Sequence, residues 1–187
     1  MDVTQTPLSD TETVLIGLVV SVVLLPSVTW RLVQHFNVMA HEGMHGAVGS
    51  LSGGKVQSIA LTQNAKGDAE GKTVVTLPAG RSPVAFLFAG YLGPSAFGLG
   101  AARLIQFGHI IAVLWLTMLL LGLLLIALNL KRSFGYVTVP LAGFLIFLVL
   151  KHTSQTAQVL VVYVITWFLL LSGVRWMLHP AVHAPVR

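Results

Sequence analysis

The run His41-Glu42-Gly43-Met44-His45 combines side chains that can bind a metal ion and catalyse hydrolysis. On a helix, His41 and His45 lie one turn apart on the same face, so both imidazoles can reach one ion. Glu42 is offset by one residue, close enough to take a proton from a water molecule at that ion without being a ligand. This is the HExxH arrangement of zinc hydrolases. The sequence therefore predicts a zinc site with Glu42 as the general base.

The motif lies in an apolar stretch, residues 36–51, that otherwise has the composition of a membrane helix. The two histidines could instead be structural and bond to neighbouring helices. A glutamate between them is costly inside a membrane, however, and ionisable groups in membrane spans usually mark function. The location of the motif therefore favours a metal site.

The composition is typical of a polytopic membrane protein. Hydrophobic residues make up 55% of the 187 residues and charged residues 9%, and the mean hydropathy is +0.84. A soluble domain carries about 25% charged residues. The absence of cysteine excludes disulfides and thiolate zinc ligands. The net charge of +5 comes from scattered basic residues, which indicate no nucleic-acid partner and instead carry topological information in a lipid bilayer.

The hydropathy pattern predicts an all-α polytopic membrane protein, a single transmembrane domain over residues 1–187. The chain has room for about six spans of roughly 20 residues. The expected spans are 13–30, 36–51, 83–104, 109–130, 134–150 and a sixth that follows the polar stretch 151–158 and ends near 178. Pro26 is expected to kink the first span. Small residues around Pro94 predict that the third span packs tightly against another helix and is locally distorted.

The polar segment between the second and third spans, about residues 54–80, predicts a short β-hairpin. Residues 55–62 alternate moderately, residues 72–77 are rich in β-branched side chains, and residues 64–71 are typical of a turn. An ordinary loop is the alternative. Because the hairpin directly follows the metal helix, its edge could hold an extended substrate segment by strand addition.

Six spans would place both chain termini on one side of the membrane, together with the hairpin. The basic residues expected on that side are Lys55, Lys66, Lys72, Arg81, Lys131, Arg132, Arg175 and Arg187, against Arg31, Arg103 and Lys151 on the other. The positive-inside rule then predicts a multi-pass protein of the cell membrane with cytoplasmic termini and a cytoplasmic hairpin. A cysteine at Lys66 should escape labelling from outside intact cells, whereas one at Gly108 should react.

These features together resemble the site-2 protease family of intramembrane zinc metallopeptidases, most closely its compact bacterial branch. The residues that carry the resemblance are 40–47 and 89–94, the hairpin opening 53–54 and, more weakly, 134–135 and 163–170. The resemblance covers most of the chain. It implies that His41 and His45 are zinc ligands and that Glu42 is the catalytic base.

The chain departs from the family at the third zinc ligand. The family supplies a carboxylate from a later span, but the last acidic residue of this chain is Glu70. Either water fills two positions or a later polar side chain completes the ligand set, and an amide oxygen binds zinc more weakly than a carboxylate. Gln155 is preferred because a polar ligand could enter there from the start of the sixth span, and the other candidates are Asn129, His152 and His109. If Gln155 is the ligand, Gln155→Asp should raise zinc occupancy.

Three functional hypotheses follow from these observations. The first is a zinc-dependent endopeptidase that cuts membrane-embedded or membrane-proximal segments of a membrane protein substrate. The second, motivated by the missing carboxylate, is a catalytically impaired pseudoprotease or a non-catalytic subunit of a membrane complex. A transporter is the third, and the absence of an internal repeat argues against it. Packing of the third span is compatible with a homo-oligomer.

Overall fold

The computed structural model describes residues 4–80, 83–128 and 134–178. This part of the chain is mostly helical and contains one two-stranded antiparallel sheet. The elements are α1 (Asp10–Leu24), α2 (Ser27–Leu51), β1 (Lys55–Gln63), β2 (Ala69–Thr76), α3 (Val84–Gln106), α4 (Ile110–Ala127), α5 (Gly135–His152) and α6 (Gln155–Leu178). The helical fold and the hairpin after the second helix confirm the sequence prediction. Asn129, Arg81, Lys131, Arg132 and the tail 179–187 lie outside the described residues.

Fewer helices than predicted are independent membrane spans. Within the described ranges, α3, α4, α5 and α6 are each long and apolar enough to cross a membrane, whereas α1 and α2 qualify only as a pair bent by 109°. The count is therefore four candidate spans, or five if the bent pair is one span, and six separate spans are not confirmed. The bend occurs at Pro26, which has an extended backbone (φ −67°, ψ 142°) and no N–H with which to continue the hydrogen bonding of α1. Trp30, the predicted end of the first span, accordingly lies inside α2.

The start of the chain lies at the opposite end of the helix bundle from the hairpin. The N–H of Gln5 donates to the Gly108 carbonyl at 2.7 Å, in the turn between α3 and α4. The hairpin instead meets the other end of α4, where Ile59 forms a bridge with Leu128. The expectation that both termini share the hairpin's side is therefore not confirmed for the start of the chain, and residues 179–187 lie outside the described part. Two separate spans are not found before the hairpin, because α1 and α2 form a bent pair.

Helix α3 packs tightly, as its small residues predict. A Cβ atom at Gly98 would lie 2.9 Å from Leu170 Cγ of α6, and one at Gly93 would lie 2.7 Å from Met44 Cβ of α2. Both neighbours therefore approach α3 at positions that have no side chain. Helix α3 is thus held between α2 and α6.

The sixth helix begins earlier than the sequence predicts. The sequence predicts that the polar residues 151–158 precede it, but α6 already starts at Gln155. The side chain of Ser154 accepts a hydrogen bond from the Ala157 N–H at 3.3 Å, which stabilises a helix start at this polar position. The polar stretch is thus divided between the end of α5 and the first turn of α6.

The hairpin packs one face against the helices. Strands β1 and β2 pair from Lys55↔Thr76 to Gln63↔Ala69, with an irregularity between Val56 and Ser58. Their inward side chains join a buried cluster with residues of α2, α4 and α5. Its members are Ile59, Leu61, Ala69, Val38, Met39, Leu124, Leu128, Val139 and Ala142. This cluster fixes the hairpin beside the motif helix.

Candidate metal centre

His41 and His45 converge on one point from neighbouring turns of α2. Their Nε2 atoms are 3.2 Å apart. Two nitrogens bound to one tetrahedral zinc ion at about 2.0–2.1 Å would be separated by about 3.4 Å. The observed separation also suits a hydrogen bond between the two imidazoles. The pair is therefore arranged as two ligands of one zinc ion would be, without a change of helix geometry.

A backbone carbonyl of α3 orients the second imidazole. Nδ1 of His45 lies 2.8 Å from the Phe86 carbonyl oxygen. Since a carbonyl can only accept, Nδ1 must be the protonated nitrogen, and the neutral ring presents the lone pair of Nε2. Hydrogen bonding of the distant ring nitrogen to a carbonyl is a common feature of metal-ligating histidines. The contact thus supports a ligand role for His45.

Gly90 of α3 forms the wall opposite both imidazoles. A Cβ atom at this position would collide with Nε2 of His45 and with Nε2 and Cε1 of His41. The next residue, Tyr91, places its ring edge-on to the His41 ring, with centroids 5.5 Å apart. The absence of a side chain at Gly90 therefore leaves the space in which an ion between the two histidines would lie.

Glu42 faces the hairpin and is almost completely buried, with 4% of its surface exposed. The hydroxyl of Thr73, on β2, donates to Glu42 Oε2 at 2.5 Å. Gly71, two residues earlier on the same strand, leaves room for the carboxylate, because a Cβ atom there would collide with it. Strand β2 therefore sets the position of the carboxylate.

The hairpin approaches α2 closely because glycines face it. A Cβ atom at Gly49 would lie 2.9 Å from both methyl groups of Val75, and one at Gly46 would lie 3.2 Å from Ile59 Cδ1. These two glycines therefore leave space on α2 for side chains of the hairpin.

Replacement of Thr73 by valine is expected to lower kcat about tenfold or more at an unchanged KM. Valine keeps the volume but removes the donor to Glu42, and a hydrogen bond to a charged group contributes about 1.5–3 kcal/mol. Kinetics on a membrane substrate that the wild type cleaves would measure the change. Thr73→Ser should restore the rate. Thr76→Val, on the same strand, should behave as wild type because Thr76 bonds to Gln57 instead. Equal loss in both valine variants would contradict the assignment.

The structure does not bring Gln155 to the histidine pair. One turn after Gln155, Val159 packs in a cluster with Ala101 and Ile105, towards the end of α3. The histidines contact Gly90, which precedes Ile105 by about 22 Å at 1.5 Å per residue. The antiparallel packing of α3 and α6 therefore places the start of α6 far from the motif, and Gln155 is exposed there.

The two histidine candidates, His152 and His109, are no closer. His152 ends α5 directly before the start of α6, and His109 caps α4 at the same end of the bundle. Asn129 lies outside the described residues. Among residues 4–80, 83–128 and 134–178, no group of three or more His, Cys, Asp or Glu side chains could hold a metal ion. The described part of the chain thus offers a two-histidine site.

Three residues that contact this site were not predicted from the sequence: Thr73, Gly71 and Phe86. The β-branched run 72–77 predicts that Thr73 lies on a strand, but the packing of that strand against α2 decides which of its residues meets Glu42. Phe86 acts through its backbone carbonyl, which no side-chain pattern can indicate. No signal in the sequence identified these three residues.

One comparison with known proteins identifies the family to which the chain is similar. The model of the Peptidase M50B-like family matches residues 14–183, a range that includes the histidine pair, Glu42 and the hairpin. Neither the curated proteins nor the solved structures gave a match. The family is one of membrane proteases that are generally zinc-dependent, which agrees with the apolar helices of the chain. The chain therefore belongs to the Peptidase M50B-like family, and its resemblance to the site-2 protease family is confirmed.

Proposed function

We propose that the protein is a zinc-dependent intramembrane endopeptidase that hydrolyses peptide bonds in membrane-embedded or membrane-proximal segments. The observation that carries the proposal is the convergence of two imidazole nitrogens at 3.2 Å, next to a buried glutamate. His41 and His45 would hold the zinc ion. When bound, zinc polarises the substrate carbonyl and acidifies water. A zinc ion held by these two imidazoles would need further ligands, and catalytic zinc sites keep at least one position for water or substrate.

Residues of the chain carry out the proton transfers and hold the reacting groups in position. Glu42 takes a proton from the attacking water and returns it to the amine that leaves when the peptide bond breaks. Thr73 holds the carboxylate in place through its hydroxyl. The carbonyl of Phe86 keeps the His45 ring in one orientation and one tautomer. The burial of Glu42 between α2 and β2 limits the access of bulk water to the reacting groups.

The hairpin supports a membrane protein as the substrate. A transmembrane helix shields its own peptide bonds, so a cleaved segment must first unwind and then satisfy its backbone groups elsewhere. In the described part of the chain, β1 is the one strand that pairs with β2, which leaves the other edge of β2 without a strand. An extended segment could pair with that edge beside Glu42.

Metal analysis of the purified protein tests the proposal. We expect about one zinc ion per wild-type chain and loss of most of it in His41→Ala and His45→Ala, since each variant removes one of two protein ligands. His35→Ala is the matched control because His35 lies on the same helix but contacts the ring of Phe134. Retention of zinc in both ligand variants would refute the metal site.

A second candidate function is a pseudoprotease or a non-catalytic subunit that binds other membrane proteins. It is favoured by the missing late carboxylate, since no acidic residue follows Glu70. Metal analysis separates the two candidates. A wild-type protein without zinc, in which Glu42 bonds to the histidines, would support the subunit.

The orientation in the membrane is a separate proposal: the hairpin end of the bundle is cytoplasmic. In the described residues, that end carries Lys55, Lys66 and Lys72, and the opposite end carries Arg103 and Lys151. Arg31, which the sequence predicts on the opposite side, lies 3.7 Å from Asp68 of the hairpin turn and so belongs to the hairpin end. A membrane-impermeant maleimide added to intact cells should react with Lys151→Cys and not with Lys66→Cys. Gly108 is a poor labelling site because its φ is 75° and a side chain would crowd Gln5. Strong labelling at Lys66→Cys would reverse the orientation.

A further inference from the structure

Asn37 has a buried side-chain amide that makes no hydrogen bond in the described part of the chain. Its exposed surface is 0%, and neither Nδ2 nor Oδ1 has a hydrogen-bond partner in the described part of the chain. A buried amide without a partner lowers stability, and inside a membrane no bulk water can compensate for it. A buried amide without a partner is expected at a site where a bound ligand supplies the missing hydrogen bonds.

Asn37 lies on the face of α2 that forms the metal centre. It shares the i, i+3, i+4 and i+7 positions with Ala40, His41 and Met44. Ala40 and Met44 are next to Gly93 of α3, and His41 is next to Gly90. Asn37 therefore lies on the side of α2 that contacts α3. Side chains on a helix lean towards its N-terminus, so the His41 ring lies over the turn that carries Asn37.

Helix α3 contributes a second polar group close to the same histidine. Pro94 lies inside α3 and has no N–H, so the α-helical hydrogen bond to the Gly90 carbonyl cannot form. Gly90 itself faces the imidazoles of His41 and His45. Two helices enclose the candidate zinc site. Helix α3 carries the Gly90 carbonyl, which lacks its usual helical donor, and α2 carries the amide of Asn37, which lacks a partner.

We propose that Asn37 binds the polypeptide backbone of the substrate next to the cleaved bond, an inference that rests on the proposed function. Its Oδ1 accepts from a backbone N–H of the unwound segment, and its Nδ2 donates to a backbone carbonyl. An unwound segment in a membrane exposes both kinds of group and must pair them. A carboxamide is the neutral side chain that can satisfy both without adding a charge to the site.

Two hydroxamates of different size test the inference on the zinc-loaded protein. Acetohydroxamate binds zinc but has no peptide backbone, whereas an N-acetylated dileucine hydroxamate extends two backbone amides from the same zinc-binding group. Asn37→Leu is expected to weaken binding of the dileucine hydroxamate about three- to tenfold, the effect of one or two neutral hydrogen bonds. Binding of acetohydroxamate and the zinc content should not change.

Gln34→Leu is the matched control. Gln34 is also a buried amide on α2, with 2% of its surface exposed, but its Nε2 already bonds to the Arg31 carbonyl at 3.4 Å. This variant should bind both hydroxamates as the wild type does. An equal loss in Gln34→Leu and Asn37→Leu would overturn the assignment, because the effect would then belong to any buried amide of the helix.

Thermal unfolding in detergent supplies a readout that is independent of the site's chemistry. Since Asn37 has no partner in the fold, Asn37→Leu or Asn37→Ala should unfold at a temperature no lower than the wild type. Lower unfolding temperatures in both variants, or loss of zinc, would show that Asn37 is a structural residue or a ligand. If the wild type binds neither zinc nor either hydroxamate, the proposed function fails together with the inference. If it binds all three and Asn37→Leu does as well, the inference alone fails.

Discussion

Gly90→Ala is expected to abolish zinc binding at concentrations that saturate the wild type. The added methyl group would occupy the space of both Nε2 atoms, because a Cβ atom at Gly90 collides with His41 and His45 at once. The imidazoles would have to rotate away from each other, and a site with two protein ligands has no spare donor to replace them. Zinc content after purification and dialysis would measure the loss.

Gly100→Ala separates this effect from a general change in α3. Gly100 lies on the same helix, and a Cβ atom there would meet nothing within 4 Å. Alanine favours the helix over glycine by about 1 kcal/mol, so both variants should be at least as helical as the wild type. Zinc loss in Gly90→Ala with normal zinc in Gly100→Ala is the expected pattern. Normal zinc in Gly90→Ala would mean that the histidines bind no ion in this arrangement.

Glu42→Gln is expected to lower kcat by about 10²–10⁴-fold, the usual contribution of a general base. Glutamine has nearly the same shape and can still bond to the Thr73 hydroxyl, but its amide cannot take a proton from water. The zinc content should stay at the wild-type level because Glu42 is not a ligand. Cleavage of a membrane substrate by purified protein, together with metal analysis, would measure both quantities.

Glu70→Gln is the control for this change. Glu70 lies exposed on β2 opposite Thr62, so the Glu70→Gln protein should cleave the substrate as fast as the wild type does. A Glu42→Gln protein that cleaves as fast as the wild type would contradict the assigned mechanism. A Glu42→Gln protein that has lost its zinc would instead place the carboxylate among the ligands.

Strand β2 of the hairpin contacts the proposed catalytic base directly. Thr73 bonds to the carboxylate of Glu42, and Gly71 leaves the space in which that carboxylate lies. The free edge of the same strand is the surface proposed for an extended substrate. A segment that pairs with β2 would therefore lie next to the base, which couples substrate binding to the position of the catalytic group.

The motif, its helix and the hairpin could be predicted from the sequence because each depends on local patterns. The spacing of His41 and His45 places both on one face of any helix, and Glu42 follows from the same register. The alternating and turn-forming residues between 54 and 80 predict paired strands without reference to the rest of the chain. The apolar helices could be recognised because a hydropathy pattern depends only on the local amino-acid composition.

Contacts between elements were decided by the tertiary structure. Thr73 meets Glu42 because the hairpin packs against α2 in one register, and Gly90 faces the histidines because α3 crosses α2 at that level. The bend of α1 against α2 changed the number of candidate spans, although Pro26 itself was visible in the sequence. Gln155 lies far from the motif because α3 and α6 pack antiparallel. Periodicity specifies which face of an element is apolar or polar, whereas the partner of that face depends on long-range packing that no local pattern records.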